Sequence, residues 1–338
     1  MNGMCRPMST KNQLLTHLKE GKGNWVSGEF LGRSLMISRA AIWKHICTLK
    51  EEGYIIDSSR KKGYLLRQAT ESLLPQEIQE GLKTNFIGRN NVVYFKETDS
   101  TNTRAEHLAN EGAPEGTVVI AETQTQGRGR RGRSWFSPPG AGIYASLILR
   151  PRLAPNEAPK LTLMTSVAAV ETLRAFTTLA VTIKWPNDVL IHEKKVAGIL
   201  TEINAEMDKI HYVIIGIGMN INTPLKAFPG EIRKIATSLL IETGNRFSRV
   251  SILRDYLERF EKCYDEFANE GFNPFMSRWR ALTDIIGKRI SVDVIHSTYT
   301  GIVRDIDEDG FLILQDRDGN LKKIISGDIA LLNQRNMS

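Results

Sequence analysis

The sequence predicts an α+β protein of several domains. Its 338 residues exceed what one hydrophobic core usually organises. Residues 1–67 hold 12 Lys and Arg against 5 Asp and Glu, whereas the rest of the chain holds 33 of each. From Ile286 onward, short apolar runs alternate with Asp-Gly turns, a pattern typical of a small β domain. We therefore expect domains over 1–67, 85–284 and 285–338, with a connector at 68–84.

Composition excludes several classes of protein. No apolar run reaches the length of a membrane span, and the start Met1–Pro7 has no apolar signal segment. Cys5, Cys47 and Cys263 are scattered and odd in number, which indicates reduced thiols. The six histidines are dispersed without zinc-ligand spacing. These observations predict a cytoplasmic protein with no membrane partner.

The first domain has the pattern of a winged helix-turn-helix. A helix over 11–20 carries apolar residues at 14, 15 and 18. Ser27 and Ser38 are expected to cap two further helices, the second of which ends at Gly53. Two short apolar runs, 54–57 and 64–66, then flank a basic turn, which predicts strand, wing tip and strand.

The excess of positive charge lies on the two elements of this module that would meet DNA. A winged helix can also serve only as a protein contact, but the placement of the charge favours phosphate binding. The residues expected to face DNA are Ser38, Arg39, Ala40, Trp43 and Lys44 on the second helix of the motif, and Arg60, Lys61 and Lys62 at the wing tip.

A polar run begins the central domain. The apolar strand 92–95 leads into 97–103, which is rich in Ser, Thr and Asn, and a helical face at 105, 108 and 109 follows. Such a cluster between strand and helix is often only an N-terminal cap. Its seven residues exceed what capping requires, so we expect a face that binds a polar ligand.

The segment Gly127–Arg133 contains four arginines and three glycines and leads into Ser134-Trp135. It fits G-x-G-x-x-G after a strand, but Pro138, Pro139 and Gly140 prevent the helix that a dinucleotide fold requires. The sequence contains no P-loop motif. A solvated basic loop would not need this glycine spacing, so we expect a loop that closes over an anionic small molecule.

The remaining pattern predicts a mixed sheet with helices on one face, followed by a small SH3-like β barrel. In the central domain we expect strands at 142–149, 181–191 (interrupted by a polar kink), 195–203 and 212–217, and helices at 160–176, 248–268 and 273–282. In the last domain we expect strands at 289–294, 299–306, 311–314 and 321–325, with turns at 309–310 and 318–319.

Five segments in this order resemble the signature motifs of biotin–protein ligases. They are Ser100-Thr101-Asn102, Gln124 with Gly127–Gly132, Lys184-Trp185-Pro186-Asn187-Asp188, Lys195–Leu200 and Gly216–Asn220. With its winged helix the chain is similar to the bifunctional, repressor-type members, and the resemblance covers nearly its whole length.

The resemblance implies two half-reactions. The biotin carboxylate attacks the α-phosphate of ATP, giving biotinyl-5'-adenylate and pyrophosphate with Mg²⁺ as cofactor. A lysine of a biotin carboxyl carrier protein, such as that of acetyl-CoA carboxylase, then attacks the mixed anhydride. The resemblance also implies that the adenylate is a corepressor, which promotes a homodimer that binds operator DNA of biotin synthesis or transport genes.

The resemblance also assigns roles to residues. The expected catalytic residues are Arg128, Arg130 and Lys195. The expected biotin-binding residues are Ser100, Thr101, Asn102, Gln124, Gly127, Arg128, Gly129, Arg130, Lys195 and Gly198. The expected ATP-binding residues are Arg130, Trp135, Lys184, Asn187, Asp188 and Asn220, with Asp188 also expected to hold Mg²⁺. Without the resemblance, Trp135 is equally consistent with a core residue, and Lys195 is equally consistent with a solvated turn lysine.

Three rival functions differ in what they require. A non-catalytic biotin-sensing repressor would not need the nucleotide-binding groups, and the presence of Arg128, Arg130, Lys195 and Asp188 argues against it. An enzyme with a vestigial DNA module would not need the charge of the first domain. A lipoyl ligase would not be expected to carry the Gly127–Arg133 segment.

Overall fold

The computed structural model describes residues 9–207, 209–294 and 297–332. The chain folds into two compact units, Met1–Glu77 and Ile78–Ser338, so the boundary falls inside the expected connector. Cys5 lies outside the described residues, and Cys47 and Cys263 are free thiols. Within the described residues no helix is long and apolar enough to cross a membrane.

The first unit has the predicted order of three helices and a two-stranded hairpin. Ser27 and Ser38 cap the second and third helices by accepting backbone N–H bonds, as predicted. Leu14, Ile42 and Ile46 are buried between the helices. The elements are α1 (Thr10–Glu20), α2 (Gly28–Leu35), α3 (Arg39–Glu51), β1 (Ile55–Ser59) and β2 (Gly63–Gln68).

The predicted wing is an antiparallel hairpin of β1 and β2 with its basic tip between them. Gly63 has φ +96°, and a Cβ there would lie 2.1 Å from the Val26 carbonyl oxygen. This close approach permits Val26 and Tyr64 to exchange backbone hydrogen bonds of 2.7 and 2.9 Å. The base of the wing is thereby tied to the segment before α2. The short helix α4 (Pro75–Gln79) follows in the connector.

The centre of the second unit is a seven-stranded mixed sheet in the order β3-β4-β5-β9-β8-β7-β6. β3 and β4 pair in parallel, and the other neighbours pair antiparallel. The strands are β3 (Val92–Phe95), β4 (Val118–Ala121), β5 (Gly142–Leu149), β6 (Val181–Lys184), β7 (Asp188–Ile191), β8 (Lys194–Ala205) and β9 (Ile210–Asn220).

The segment 181–191 differs from its prediction as one kinked strand. It forms two antiparallel strands, with Lys184 opposite Asp188. The polar kink Trp185-Pro186-Asn187 is the turn between them. A second tight turn at His192 and Glu193, both with positive φ, leads directly into β8. The two turns bring the motif segments 184–188 and 195–200 side by side.

The helices of this unit cover both faces of the sheet, and the prediction of one covered face is wrong. Ala105 packs in one cluster with Ile214, whereas Thr162 hydrogen-bonds Thr201 at 2.7 Å. Thr201 and Glu202 are neighbours on β8 and therefore point to opposite faces, and Glu202 pairs with Ile214. The helices are α5 (Thr101–Asn110), α6 (Ala158–Phe176), α7 (Ile232–Ile235), α8 (Leu239–Thr243), α9 (Arg249–Glu270) and α10 (Asn273–Leu282).

The last part of the chain forms a five-stranded antiparallel sheet in the order β13-β12-β11-β10-β14. Four strands were predicted, and the fifth, which has only four residues, was missed although Ser326-Gly327 is a turn signal directly before it. Gly310 and Gly319 have positive φ in the predicted turns, and the Trp185 indole N–H donates to the Gly310 carbonyl at 3.0 Å. The strands are β10 (Arg289–Asp293), β11 (Thr298–Ile306), β12 (Leu312–Gln315), β13 (Leu321–Ile324) and β14 (Asp328–Leu331).

Candidate active site

A cavity with about 420 Å³ of empty space, part of it open to solvent, lies on the face of the central sheet that α5 covers. The start of α5, the Gly127–Arg133 loop and the middle of β8 and β9 form its walls. Its lining residues are Ser100, Thr101, Asn102, Gln124, Arg128, Gly129, Arg130, Trp135, Asn187, Lys195, Gly198, Ile199, Leu200, Gly216, Ile217 and Gly218.

Helix capping does not account for the polar run before α5. Ser100 stands at the N-cap position, yet its side chain makes no capping hydrogen bond and is 2% exposed at the cavity. The Thr101 N–H donates instead to Gln124 Oε1 at 2.8 Å, which ties the helix start to the segment after β4. Gln124 Nε2 in turn donates to Ser137 Oγ at 2.8 Å. The run therefore forms a fixed, buried polar surface.

This surface continues across the sheet as a hydrogen-bonded group that we call the polar wall: Thr101, Asn102, Gln124, Ser146 and Glu202. Ser146 Oγ lies 2.8 Å from Thr101 Oγ1 and 2.6 Å from Asn102 Oδ1. Asn102 Nδ2 donates to Glu202 Oε2 at 2.8 Å. Buried polar groups of this kind hold one orientation because leaving any of them unpaired is costly.

The Gly127–Arg133 loop folds back on itself through a 3₁₀ turn at Arg130–Gly132, and no α-helix follows it before β5, as predicted. Gly129 N–H donates to the Arg133 carbonyl at 2.7 Å, and Trp135 N–H donates to the Gly127 carbonyl at 2.8 Å. A Cβ on Gly127 would lie 2.5 Å from the Trp135 carbonyl oxygen, so glycine is needed for this closure. Gly132 has φ +72°, the left-handed conformation that favours glycine.

The arginines of the loop are engaged with specific partners. Arg128 Nη2 donates to Glu202 Oε1 at 2.5 Å, and Arg130 Nη1 donates to Asn187 Oδ1 at 3.0 Å. Arg131 and Arg133 both meet the carboxylate of Asp328 in β14. Arg128 and Arg130 line the cavity, whereas Arg131 and Arg133 contact Asp328 outside its lining.

A second group, which we call the cation end, consists of Arg130, Asp188 and Lys195. Lys195 Nζ lies 2.6 Å from Asp188 Oδ1, an ion pair by distance whose angle is outside hydrogen-bond geometry. The same ammonium lies 5.2 Å from the centroid of a Trp135 ring. Burial lowers the pKa of the Arg130 guanidinium, although nearby carboxylates oppose the shift. The group concentrates positive charge at one end of the cavity.

Glycines on β8 and β9 make room for these side chains. A Cβ on Gly216 would lie 2.0 Å from Asn102 Oδ1, and one on Gly218 would lie 2.4 Å from the Trp135 ring. A Cβ on Gly198 would lie 2.8 Å from Lys195 Cε. The strands therefore form a floor without side chains, on which the polar wall and the indole rest.

The structure brings most of the expected site residues to the cavity and leaves four outside its lining. Asp188 contacts Lys195, and Lys184 is paired opposite Asp188 on the neighbouring strand. Gly127 is buried in the loop closure. Asn220 ends β9, is 3% exposed, and its Oδ1 has no hydrogen-bond partner within the described residues.

Sequence reasoning missed seven residues of the site. Gly216, Ile217 and Gly218 lay in a quoted motif but received no role, although their glycine spacing was a usable signal. Ser146 and Glu202 sit in strands, where a polar residue carries no signal until its partners are known. The residues missed are Ser146, Ile199, Leu200, Glu202, Gly216, Ile217 and Gly218.

In the first unit, all the side chains expected to meet DNA are exposed. Trp43 is 63% exposed on α3, in contrast to the apolar residues on the opposite side of the same helix. Lys62 Nζ lies 5.9 Å from the centroid of a Trp25 ring at the wing. The exposed set is Ser38, Arg39, Ala40, Trp43, Lys44, Arg60, Lys61 and Lys62.

Known proteins match this chain along nearly its whole length. The Biotin/lipoate A/B protein ligase family matches residues 94–220, an HTH domain matches 10–65, and the Biotin protein ligase C terminal domain matches 285–332. The Bifunctional ligase/repressor BirA of Bacillus subtilis is 41% identical over 324 residues, which span 96% of this chain and 99% of that protein. The chain belongs to the biotin protein ligase family. It is of the bifunctional ligase/repressor type, as its motifs predict.

Relatives with lower sequence identity belong to the same family. The BirA protein of Escherichia coli is 33% identical over 309 residues, spanning 91% of this chain and 94% of that protein. The structure of a biotin protein ligase from Aquifex aeolicus in complex with biotin and ATP superposes with a TM-score of 0.62 at 31% identity, covering 72% of this chain and 98% of that chain. The predicted fold class is confirmed. The expected limits of the domains and the roles of individual site residues stay predictions.

Proposed function

We propose that this chain joins biotin to one lysine of a biotin carboxyl carrier protein in two half-reactions at the cavity described above. A biotin carboxylate oxygen attacks the α-phosphorus of ATP, and the bond to the β-phosphate oxygen breaks to release pyrophosphate. The lysine amine then attacks the biotinyl carbonyl carbon, and AMP leaves with the electron pair of the anhydride bond. The amine loses one proton in forming the amide.

The observation that carries this proposal is one cavity with two chemically different ends. The polar wall offers directed donors and acceptors in a largely buried surface, which suits a neutral ureido ring. The cation end suits a carboxylate that approaches a triphosphate, since the first step brings two anions together. Expected roles follow: Ser100, Thr101, Asn102 and Gln124 bind the ring, and Arg128, Arg130 and Lys195 stabilise the anions.

Asp188 fits the expected Mg²⁺ site. Its Oδ1 is buried without a hydrogen bond but lies 2.6 Å from Lys195 Nζ, so the ammonium has to move off this oxygen for Mg²⁺ to bind it. Mg²⁺ is usually held by one or two carboxylates together with substrate phosphates. No cluster of three or more His, Cys, Asp or Glu exists within the described residues. In this proposal phosphate oxygens and water complete the coordination beside Asp188. A bound Mg²⁺ would neutralise part of the phosphate charge. Trp135, Lys184, Asn187 and Asn220 are the proposed nucleotide-binding residues around it.

The test is a transfer assay. The protein is incubated with ATP, Mg²⁺, radiolabelled biotin and a biotin carboxyl carrier domain, and label on the carrier is measured after electrophoresis. We expect ATP-dependent labelling that is lost when the acceptor lysine of the carrier is replaced by arginine. Excess lipoate should not compete. Biotin binding without any transfer would support the non-catalytic sensing repressor instead.

We further propose that the first unit binds operator DNA as part of a homodimer that the adenylate stabilises, in the cytoplasm. The support is the exposed basic face of α3 and the wing, together with the relatives named ligase/repressor. One winged helix reads a single short half-site, and a two-fold dimer reads two. A ligand that binds the dimer more tightly shifts the protein toward it and so strengthens DNA binding.

This second function has its own test. Sedimentation should show tighter self-association with biotinyl-5'-adenylate than without it, and binding to a duplex carrying a two-fold repeat should rise in parallel. Replacing Lys61 and Lys62 by alanine should lower the slope of log affinity against log salt by about 0.9 for each phosphate that the protein no longer neutralises. Replacing Lys262 on α9, an exposed lysine of the other unit, should leave the slope unchanged. If biotinyl-5'-adenylate changed neither self-association nor DNA affinity, the proposed coupling between ligand, dimer and DNA would be contradicted.

A further inference from the structure

Glu202 stands where the polar wall meets the Gly127–Arg133 loop, and no role in the proposed reaction is assigned to it above. Gly198, Leu200 and Glu202 alternate along β8 and share one face of the sheet. The first two line the cavity, so Glu202 lies one step beyond the lining on the same side. Its side chain is 31% exposed, which leaves the carboxylate partly shielded from water.

The two oxygens of this carboxylate hold two different parts of the site. Oε2 accepts from Asn102 Nδ2 at 2.8 Å, and Oε1 accepts from Arg128 Nη2 at 2.5 Å. Asn102 belongs to α5, and Arg128 belongs to the loop. The carboxylate therefore links the ring-binding surface to the loop that covers the cavity.

The hydrogen bond to Glu202 also fixes the orientation of the Asn102 amide. A carboxylate only accepts hydrogen bonds, so the NH₂ group must face Glu202, and it also lies 3.4 Å from the Leu200 carbonyl oxygen. Both amide hydrogens are thereby directed at the protein. Oδ1 is left facing Ser146 and the glycine floor at Gly216, with one lone pair available to a ligand donor. If the amide were inverted, Asn102 Oδ1 would face Glu202 Oε2, and two hydrogen-bond acceptors would be in contact.

We propose that Glu202 is a positioning residue for biotin binding, with two linked effects. It presents Asn102 to the ligand as a hydrogen-bond acceptor, which selects a ring that carries an N–H, and it holds Arg128 so that the loop is in place when the ring is bound. The proposal rests on the proposed function, since it concerns the ligand of that same cavity.

The first test is Glu202→Gln, which keeps the shape and removes the charge. Loss of a charge-assisted hydrogen bond at this point should raise the Kd for biotin by about tenfold. The kcat should also fall, but by no more than it falls in Arg128→Gln, because Glu202 reaches the reacting anions only through Arg128. Glu206→Gln, at an exposed glutamate just after the end of β8, is the matched control and should change none of these constants.

Reciprocal variants separate positioning from a merely structural contribution. Asn102→Asp places two carboxylates together and should weaken biotin binding by more than about tenfold. Adding Glu202→Gln places an amide N–H donor opposite the carboxylate introduced at position 102, whose Oδ1 keeps the position of the Asn102 Oδ1. The double variant should therefore recover most of the affinity for biotin. A double variant no better than Asn102→Asp alone would overturn the orientation role, and so would a Glu202→Gln protein with unchanged biotin Kd.

Arg128→Gln tests the second link. If Glu202 acts through Arg128, the two substitutions together should weaken biotin binding by less than the product of their separate effects. Independent effects would overturn the coupling to the loop. A wild-type protein that binds no biotin would instead contradict the proposed function, which keeps the two failures distinct.

Discussion

Arg130→Ala should release the adenylate from the site while leaving the fold intact. Arg130 reaches from the loop to Asn187 Oδ1 at 3.0 Å and lies in the cation end beside Asp188. Its guanidinium is partly desolvated, and a charge-assisted bond from such a group to a phosphate contributes about 1.5–3 kcal/mol. Removing that bond corresponds to a dissociation rate that is faster by about 10- to 150-fold.

The cost to stability is smaller and can be worked out separately. The substitution leaves Asn187 Oδ1 without its partner, which costs about 1 kcal/mol because water can enter the space vacated. For a domain of this size that lowers Tm by about 2–4 °C. Asn187 keeps its other bond, from Nδ2 to the Ile199 carbonyl at 2.8 Å, so the turn that carries it should hold its shape.

The assay is a chase experiment. Protein loaded with labelled biotin and ATP is mixed with excess unlabelled biotin, and label retained on a filter is followed with time. Arg131→Ala is the matched control, since it removes the same charge from the same loop but breaks a hydrogen bond to Asp328 outside the cavity. Retention by Arg130→Ala equal to that of wild type, or an equal loss in both variants, would refute the assignment of Arg130 to the phosphate.

Three further outcomes are expected. Lys195→Gln should lower pyrophosphate exchange on the order of 10²-fold with little change in Tm, whereas Lys194→Gln on the exposed side of the same strand should not. Gly218→Ala should push the cavity tryptophan aside and abolish nucleotide binding, whereas Gly230→Ala meets no atom within 4 Å and should be silent. Burial alone would raise the pKa of Glu242, but hydrogen bonds from a threonine and a histidine outweigh it and hold the pKa below its usual value. Its stabilisation is therefore complete above the unfolded pKa of about 4.3 and is lost as pH falls, so Glu242→Gln should flatten the decline of Tm between about pH 5 and 3; an unchanged decline would contradict this.

Local signals explain which elements could be predicted. Ser27 and Ser38 precede apolar periodicity and cap their helices through their own side chains, so cap and helix are encoded within four residues. The wing was predictable because a basic turn separates two apolar runs. The turn at 185–187 was missed as a turn because Trp185 and Pro186 are not typical of hairpins, and the strand pairing on each side is what defines it.

Non-local facts explain what could not be predicted from the residues. Which face of a sheet a helix covers depends on the crossover and not on the helix's own periodicity, so α5 and α6 were assigned to one face when they occupy two. The same limit applies to Glu202. Its importance depends on the register that sets it opposite Ile214 and on a loop more than seventy residues earlier in the chain that supplies Arg128.

The glycines of β9 show which features of the site only the structure reveals. Gly216 and Gly218 were quoted only as part of a motif. Neither has a positive φ, and both are required because side chains from elsewhere occupy the space of their Cβ atoms. Arg128 and Asn102 were predictable as ligand-binding types because their chemistry is intrinsic. Their orientation was not, because it depends on a carboxylate and a hydroxyl that read as ordinary strand residues. Residue type therefore predicts what a site can bind, and tertiary register determines which atom it presents.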